Sequence, residues 1–144
     1  GEKEIIERYS IQYFSSEEIN RMGTQEILSM ALHRADPLGI YPIHLSFDVD
    51  IFDQKDIFST GTKVPLGPKL EEIFLLGGLL AETGRLRSMD LVEFNPKIGT
   101  SVEVETSSAL ILEFLDSTLR QVMKSGDNQV YNAFPHNYFK AGIT

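Results

Sequence analysis

The stretch "YPIHLSFDVDIF", residues 41–52, decides the fold. Ile43, Leu45, Phe47 and Val49 alternate with more polar neighbours, the period-two pattern of a strand with one face on a core. The strand runs out in two aspartates, Asp48 and Asp50, one residue apart. Alternation puts both carboxylates on one face, roughly 6–7 Å apart at Cα. Like charges held together at a dry strand end raise each other's pKa and cost stability unless a cation lies between them. Oxygen ligands at this spacing can reach both ions of a metal pair about 3.5–4 Å apart. An all-oxygen set favours Mg²⁺ or Mn²⁺. The same D-x-D pattern also occurs as a helix cap or as a pair of solvated loop carboxylates.

The flanks of this strand set its context. Upstream, residues 4–14 are apolar and β-prone, which predicts a short strand near Ile11–Phe14. Ser15 stands three residues before Glu18, a capping-box spacing that starts a helix. Gly23 interrupts it, and Thr24 is placed to cap a second helical piece with Ile27, Leu28, Ala31 and Leu32 on one face. "DPLG" then makes a turn. Downstream, residues 51–68 form a long loop punctuated by Gly61, Pro65, Gly67 and Pro68, and a loop of that length in a compact domain carries function. "KLEEIFLLGGLLAET" reads as a helix ending at Gly84 and weakened by Gly77 and Gly78. "LRSMDLVEF" is the next strand, closed by "NPKIG", and a long amphipathic helix and an aromatic tail follow.

Strands alternating with helices imply an α/β fold with a mainly parallel sheet and helices packed outside it. Ligands in such folds bind beyond the carboxyl ends of the strands. Asp48 and Asp50 stand at one such end and Glu93 at the end of the next. Glu93 also has a plainer reading, as an acceptor for the loop that follows it. Among the histidines, His44 shares the aspartates' face but lies deeper, and reads as a satisfied core residue. His33 is placed for a helix C-terminus or solvent, and His136 lies in the tail.

Composition narrows the function classes. The chain has 144 residues, 42% of them hydrophobic, which suits one domain with a real core. A net charge of −8 and the lack of any basic stripe argue against nucleic acid as a partner. The chain contains no cysteine, so it has no disulfide, thiolate metal site or cysteine nucleophile. No apolar run approaches a membrane span, so no membrane partner is expected, and the acidic start is neither a signal nor a transit peptide. The expected location is intracellular, in the cytoplasm, with an organelle left open. The chain opens in mid-element without Met, so it is expected to be part of something longer.

Taken together, "IHLSFDVD", "STGT" with Thr62 twelve residues after Asp50, and "TGRLRSMDLVEFNPKIG" resemble the second half of an arginase, over nearly the whole chain. The E-x-N-P-x-x-G run points to arginase over agmatinase. The resemblance implies a three-layer α/β/α fold of which residues 1–144 are the C-terminal part of a single domain. It implies a Mn²⁺ pair and hydrolysis of L-arginine to L-ornithine and urea by a metal-bridging hydroxide. By that resemblance Asp48 and Asp50 are metal ligands, Glu93 anchors the substrate guanidinium through a carboxylate fork, and Thr62 lines the same pocket. It further implies a homotrimer, with the aromatic residues of 131–139 at the subunit contact or folded back on their own subunit.

Some family features are absent. The family carries its other ligands, a D-x-H-x-D cluster and a separate histidine, on earlier strands, and no D-x-H-x-D occurs in this chain, so these 144 residues alone are expected to be inactive and to need an N-terminal half. Ile51, Gln54, Phe58 and Lys63 replace a small residue and prolines of the family pattern, which loosens the loop and adds bulk and positive charge near the site. The alternatives are an inactive arginase-like protein with a regulatory or structural role that binds metal poorly, and, more distantly, a haloacid dehalogenase-type phosphatase. The latter wants Thr or Val where this chain has Phe52.

Overall fold

The computed structural model describes residues 2–124. Helix α1 spans Glu2–Arg8, α2 Ser16–Met22 and α3 Thr24–Ala35. Strand β1, Ile43–Asp48, runs into a short 3-10 turn, Val49–Ile51. Helix α4, Leu70–Glu82, strand β2, Leu86–Val92, and helix α5, Ser101–Lys124, follow. The two strands are parallel neighbours joined by a crossover through α4, as the alternation of elements predicts. The aromatic tail and His136 lie outside the described residues.

Alternation along both strands sorts side chains between two environments. Leu45, Phe47, Met89 and Leu91 point to the core with Val49, Phe52, Ile57, Ile73, Ile111 and Phe114. The Phe47 ring stacks on Phe114 of α5 at 3.8 Å between centroids and meets Phe52 edge-on at 5.8 Å. Helices α4 and α5 thus cover one face of the sheet. The other face carries His44, Ser46, Asp48, Ser88 and Asp90, all exposed.

The helix ends follow local chemistry. The capping box of α2 forms as expected, with Ser15 and Glu18 each bonding the other's backbone N–H. The start of α3 differs from expectation. Gly23 occupies the cap position, and Thr24 is the first helical residue. The Glu72 carboxylate of α4 accepts the Thr24 N–H at 2.7 Å, so a side chain from another helix replaces the local cap. The "DPLG" turn forms, with Gly39 at φ 65° donating its N–H to the Asp36 carbonyl.

The strand expected near Ile11–Phe14 is absent. The propensity of this segment is β, but a strand needs an edge to pair with, and residues 11–14 instead run beside α3, where Arg34 donates to the Gln12 side chain. Gly77 has a packing role besides its low helix propensity; a Cβ there would overlap Thr118 Oγ1 and crowd Phe114, so the missing side chain is what lets α4 and α5 approach.

Candidate functional site

The carboxyl ends of β1 and β2 carry the candidate site. Register pairs Asp48 with Val92, so Glu93 is the first residue past the end of β2, beside the end of β1. The strand ends that carry Asp48 and Glu93 are thus neighbours, as the order of elements in the sequence predicts. Glu93 is exposed and holds φ at 66°, in the left-handed region that non-glycine residues occupy only at a cost. It accepts no hydrogen bond from the following loop among the described residues, so the plainer reading of it is not realised.

The two aspartates sit differently from a simple strand continuation. Regular alternation stops at Asp48, where the chain enters the 3-10 turn. Asp48 Oδ1 caps that turn by accepting the Asp50 N–H at 2.9 Å, and Asp50 Oδ1 accepts the Thr60 hydroxyl. The capping reading of D-x-D is therefore part of the truth for Asp48. Each bond uses one carboxylate oxygen and fixes its orientation. Val49 between the aspartates is fully buried and anchors the turn in the core.

The long loop is tied down from three sides. Asp53 closes its base, accepting the backbone N–H groups of Lys55 at 3.0 Å and Gly67 at 3.1 Å. The Lys55 N–H chiefly holds the Asp53 carboxyl below its ordinary range, against the opposing effect of desolvation. Gly67 is required there, because a Cβ would meet the Asp53 backbone nitrogen at 2.6 Å. Ser107 of α5, fully buried, accepts the N–H groups of Phe58 and Ser59. The Ser59 carbonyl accepts the Asn95 N–H at 2.8 Å, two residues past Glu93. The segment 58–60 therefore bridges the end of β1, through Thr60, to the loop after β2.

Thr62 lies two residues beyond Thr60, exposed, and its hydroxyl makes no hydrogen bond among the described residues. Thr60, Asp53 and Ser107 do the positioning, and the sequence reading passed over all three. Only Thr60, inside the quoted "STGT", had a motif to flag it.

His44 is not a core histidine. It is exposed on the sheet face, with Nδ1 2.8 Å from Ser88 Oγ and Nε2 3.3 Å from Asp90 Oδ2. His33 is exposed in the last turn of α3. Ile51 packs against the core, and the Lys63 ammonium lies 5.9 Å from the Phe58 ring. Its charge also helps lower the Glu103 carboxyl, whose larger cause is the Thr100 N–H.

As a metal site the arrangement is partial. Asp48 and Asp50 are hard oxygen donors, oriented by the hydrogen bonds above, and suit Mn²⁺. No cluster of three or more His, Asp or Glu that could hold an ion occurs among the described residues. The residues present fit two positions of a ligand set, not a whole one.

Comparison with known proteins places this geometry. The model of the Arginase family matches residues 1–119. The chain is 38% identical over 132 residues to mitochondrial arginase-2 of Mus musculus, covering 91% of this chain and 37% of that protein. It is 40% identical over 122 residues to the arginase of Emericella nidulans, covering 83% of this chain and 37% of that protein. The structure aligns with Entamoeba histolytica arginase, solved in complex with L-ornithine, at a TM-score of 0.69 and 33% identity, covering 78% of this chain and 36% of that one. The chain thus spans little more than a third of the length of the relatives it matches. Its fold is the three-layer α/β/α arginase fold, of which the described residues build two adjacent parallel strands and the helices on one face. The chain belongs to the arginase family.

Proposed function

We propose that this chain supplies part of a metal-dependent ureohydrolase that converts L-arginine to L-ornithine and urea. Asp48 and Asp50 are two of the ligands of a Mn²⁺ pair, Glu93 binds the guanidinium, and Thr62 lines the pocket beside it. The observation that carries this is the pairing of Asp48 with Val92, which brings Glu93 to the strand end where the aspartates emerge. When bound, a Mn²⁺ pair supplies Lewis-acid activation of water at neutral pH. The residues of this chain orient its ligands and the substrate. The Asp50 N–H and the Thr60 hydroxyl each hold one carboxylate oxygen, which would leave the other oxygen of Asp48 and of Asp50 available to a metal. Glu93 presents two oxygens to a planar, permanently charged guanidinium, a bidentate pairing. The other ligands and the groups gripping the amino-acid end of the substrate come from an N-terminal half.

A homotrimer, the usual family assembly, and an intracellular location complete the proposal. No helix of the described residues is long and apolar enough to cross a membrane, and the similar mouse protein is named as mitochondrial, so an organelle stays within the proposal. Family membership separates this reading from the phosphatase one. An inactive, metal-poor arginase-like protein is the second reading, and the loop residues Ile51, Gln54, Phe58 and Lys63, which depart from the family pattern, are the feature that favours it.

Metal analysis and a urea-release assay on the whole protein distinguish the two. The enzyme reading expects close to two Mn²⁺ per subunit and urea from arginine, both lost in Asp48→Ala. Unchanged turnover in that variant would remove Asp48 from the site. A wild-type protein with native fold, no bound Mn²⁺ and no urea release would establish the second reading.

A further inference from the structure

We propose that His44 is a positioning residue, a two-point clamp that fixes the register of β1 on β2 and so sets Glu93 one residue beyond the partner of Asp48; its functional consequence rests on the reading above. The register has an irregularity at this point. Ile43 pairs with Leu86 but His44 pairs with Ser88, so Arg87 is an extra residue on β2. An irregularity of this kind is where a register can be gained or lost. From His44 onward pairing is regular to Asp48 and Val92.

Backbone bonding does not choose that register by itself. A parallel ladder repeats every two residues, so a slip of two keeps every side chain on its own face. One such slip would set Asp48 against Asp90, and the opposite slip would set it against Phe94. Either moves Glu93 by about 6.6 Å along the strand relative to Asp48.

The His44 ring distinguishes these registers because it reaches two residues of β2 on one face. Nε2 faces an oxygen of the Asp90 carboxylate, an acceptor, and Nδ1 faces the Ser88 hydroxyl, which donates or accepts as the ring's tautomer requires. One contact could be remade after a slip, whereas this pair of unlike partners, a hydroxyl and a carboxylate two residues apart, occurs at only one register. The proposed metal ligands lie on β1 and the turn after it, and the guanidinium anchor follows β2. Loosening the clamp should therefore act on the relation between the two and leave the ligands' own spacing intact.

The test compares His44→Phe, which keeps a ring and loses both contacts, with His44→Gln, which keeps an amide donor and acceptor, in the whole protein. Expected for His44→Phe are retained Mn²⁺ binding, L-ornithine binding weakened by up to roughly a hundredfold, and amide exchange of residues 44–48 and 88–92 faster by about tenfold. His44→Gln should recover part of each change. If His44→Phe does not fold, Ser88→Ala, which removes one contact, carries the same expectations at smaller size. Wild-type ligand affinity and exchange rates in the variants would overturn the clamp, as would equal loss of metal and ornithine binding. A wild type that binds neither Mn²⁺ nor ornithine would defeat the functional reading alone. The clamp would then be judged by amide exchange, and unchanged exchange would end it.

Discussion

Glu93 holds a backbone conformation that its side chain disfavours. Its φ of 66° would suit glycine, and a non-glycine residue there costs about 1–3 kcal/mol. Such a cost persists where the side chain is needed, which agrees with a role for the exposed carboxylate just past the end of β2. The two roles separate by substitution. Glu93→Gly relieves the strain, Glu93→Ala keeps it, and neither has a carboxylate. In urea titrations Glu93→Gly should be more stable than Glu93→Ala by about 1 kcal/mol. Both should lose guanidinium binding in the whole protein to a similar degree. Equal stability of the two would mean that the backbone at 93 is not strained. At this scale the sequence showed which strand ends carry carboxylates, because a carboxylate at each of two neighbouring strand ends is a pattern in residue order. It did not show how they are held. Thr60 and Ser107 reach Asp50 and the loop backbone across 10 and 49 residues of chain, and no short motif encodes such distances.

Helices α4 and α5 give the clearest contrast within one element. Gly77 and Gly78 look alike in sequence, and both lower helix propensity by about 1 kcal/mol relative to Ala. Their surroundings differ. A Cβ at 77 runs into Thr118 Oγ1 and touches Phe114, whereas a Cβ at 78 meets nothing within 4 Å. Gly78→Ala should therefore stabilise by about 0.5–1 kcal/mol. Gly77→Ala should destabilise by about 1–3 kcal/mol, because overpacking outweighs the propensity gain. Thr118→Ala should recover much of the loss in the double variant. Thermal or urea unfolding measures all three, and a Gly77→Ala protein as stable as wild type would show that the helices can shift apart freely. The capping box of α2, the parallel strands and the long helix were legible because their signals are local or periodic. The absent strand at 11–14 and the cap of α3 by Glu72 were not, since each depends on what lies alongside. Propensity describes a segment's preference, and packing decides whether a partner is there to satisfy it.

Across the whole molecule, carboxylates accept backbone N–H groups at helix starts and at the base of the long loop. Glu72 ties α4 to the start of α3, Asp53 closes the base of the long loop, and Glu18 and Glu103 cap α2 and α5. All four have their pKa lowered, in each case first by a backbone N–H: that of Thr24 for Glu72, Lys55 for Asp53, Ser15 for Glu18 and Thr100 for Glu103. A carboxyl whose folded-state pKa lies below its unfolded value stabilises fully above the unfolded value and loses that contribution as pH falls through the folded one. The unfolded values lie at about 4. Stability in urea should thus be nearly flat from neutral pH to about 5 and fall steeply below about 4. The pairing of α3 with α4 and the closure of the loop at Asp53 weaken together there, and the loop carrying Thr60 and Thr62 loses its base. Glu72→Gln and Asp53→Asn keep shape but cannot ionise. The double variant should be less stable than wild type at neutral pH and decline less steeply in acid, so the two curves converge as pH drops. Parallel curves at all pH values would mean that these two carboxylates bear none of the acid sensitivity, and that the interactions assigned to them do not join the segments they bridge.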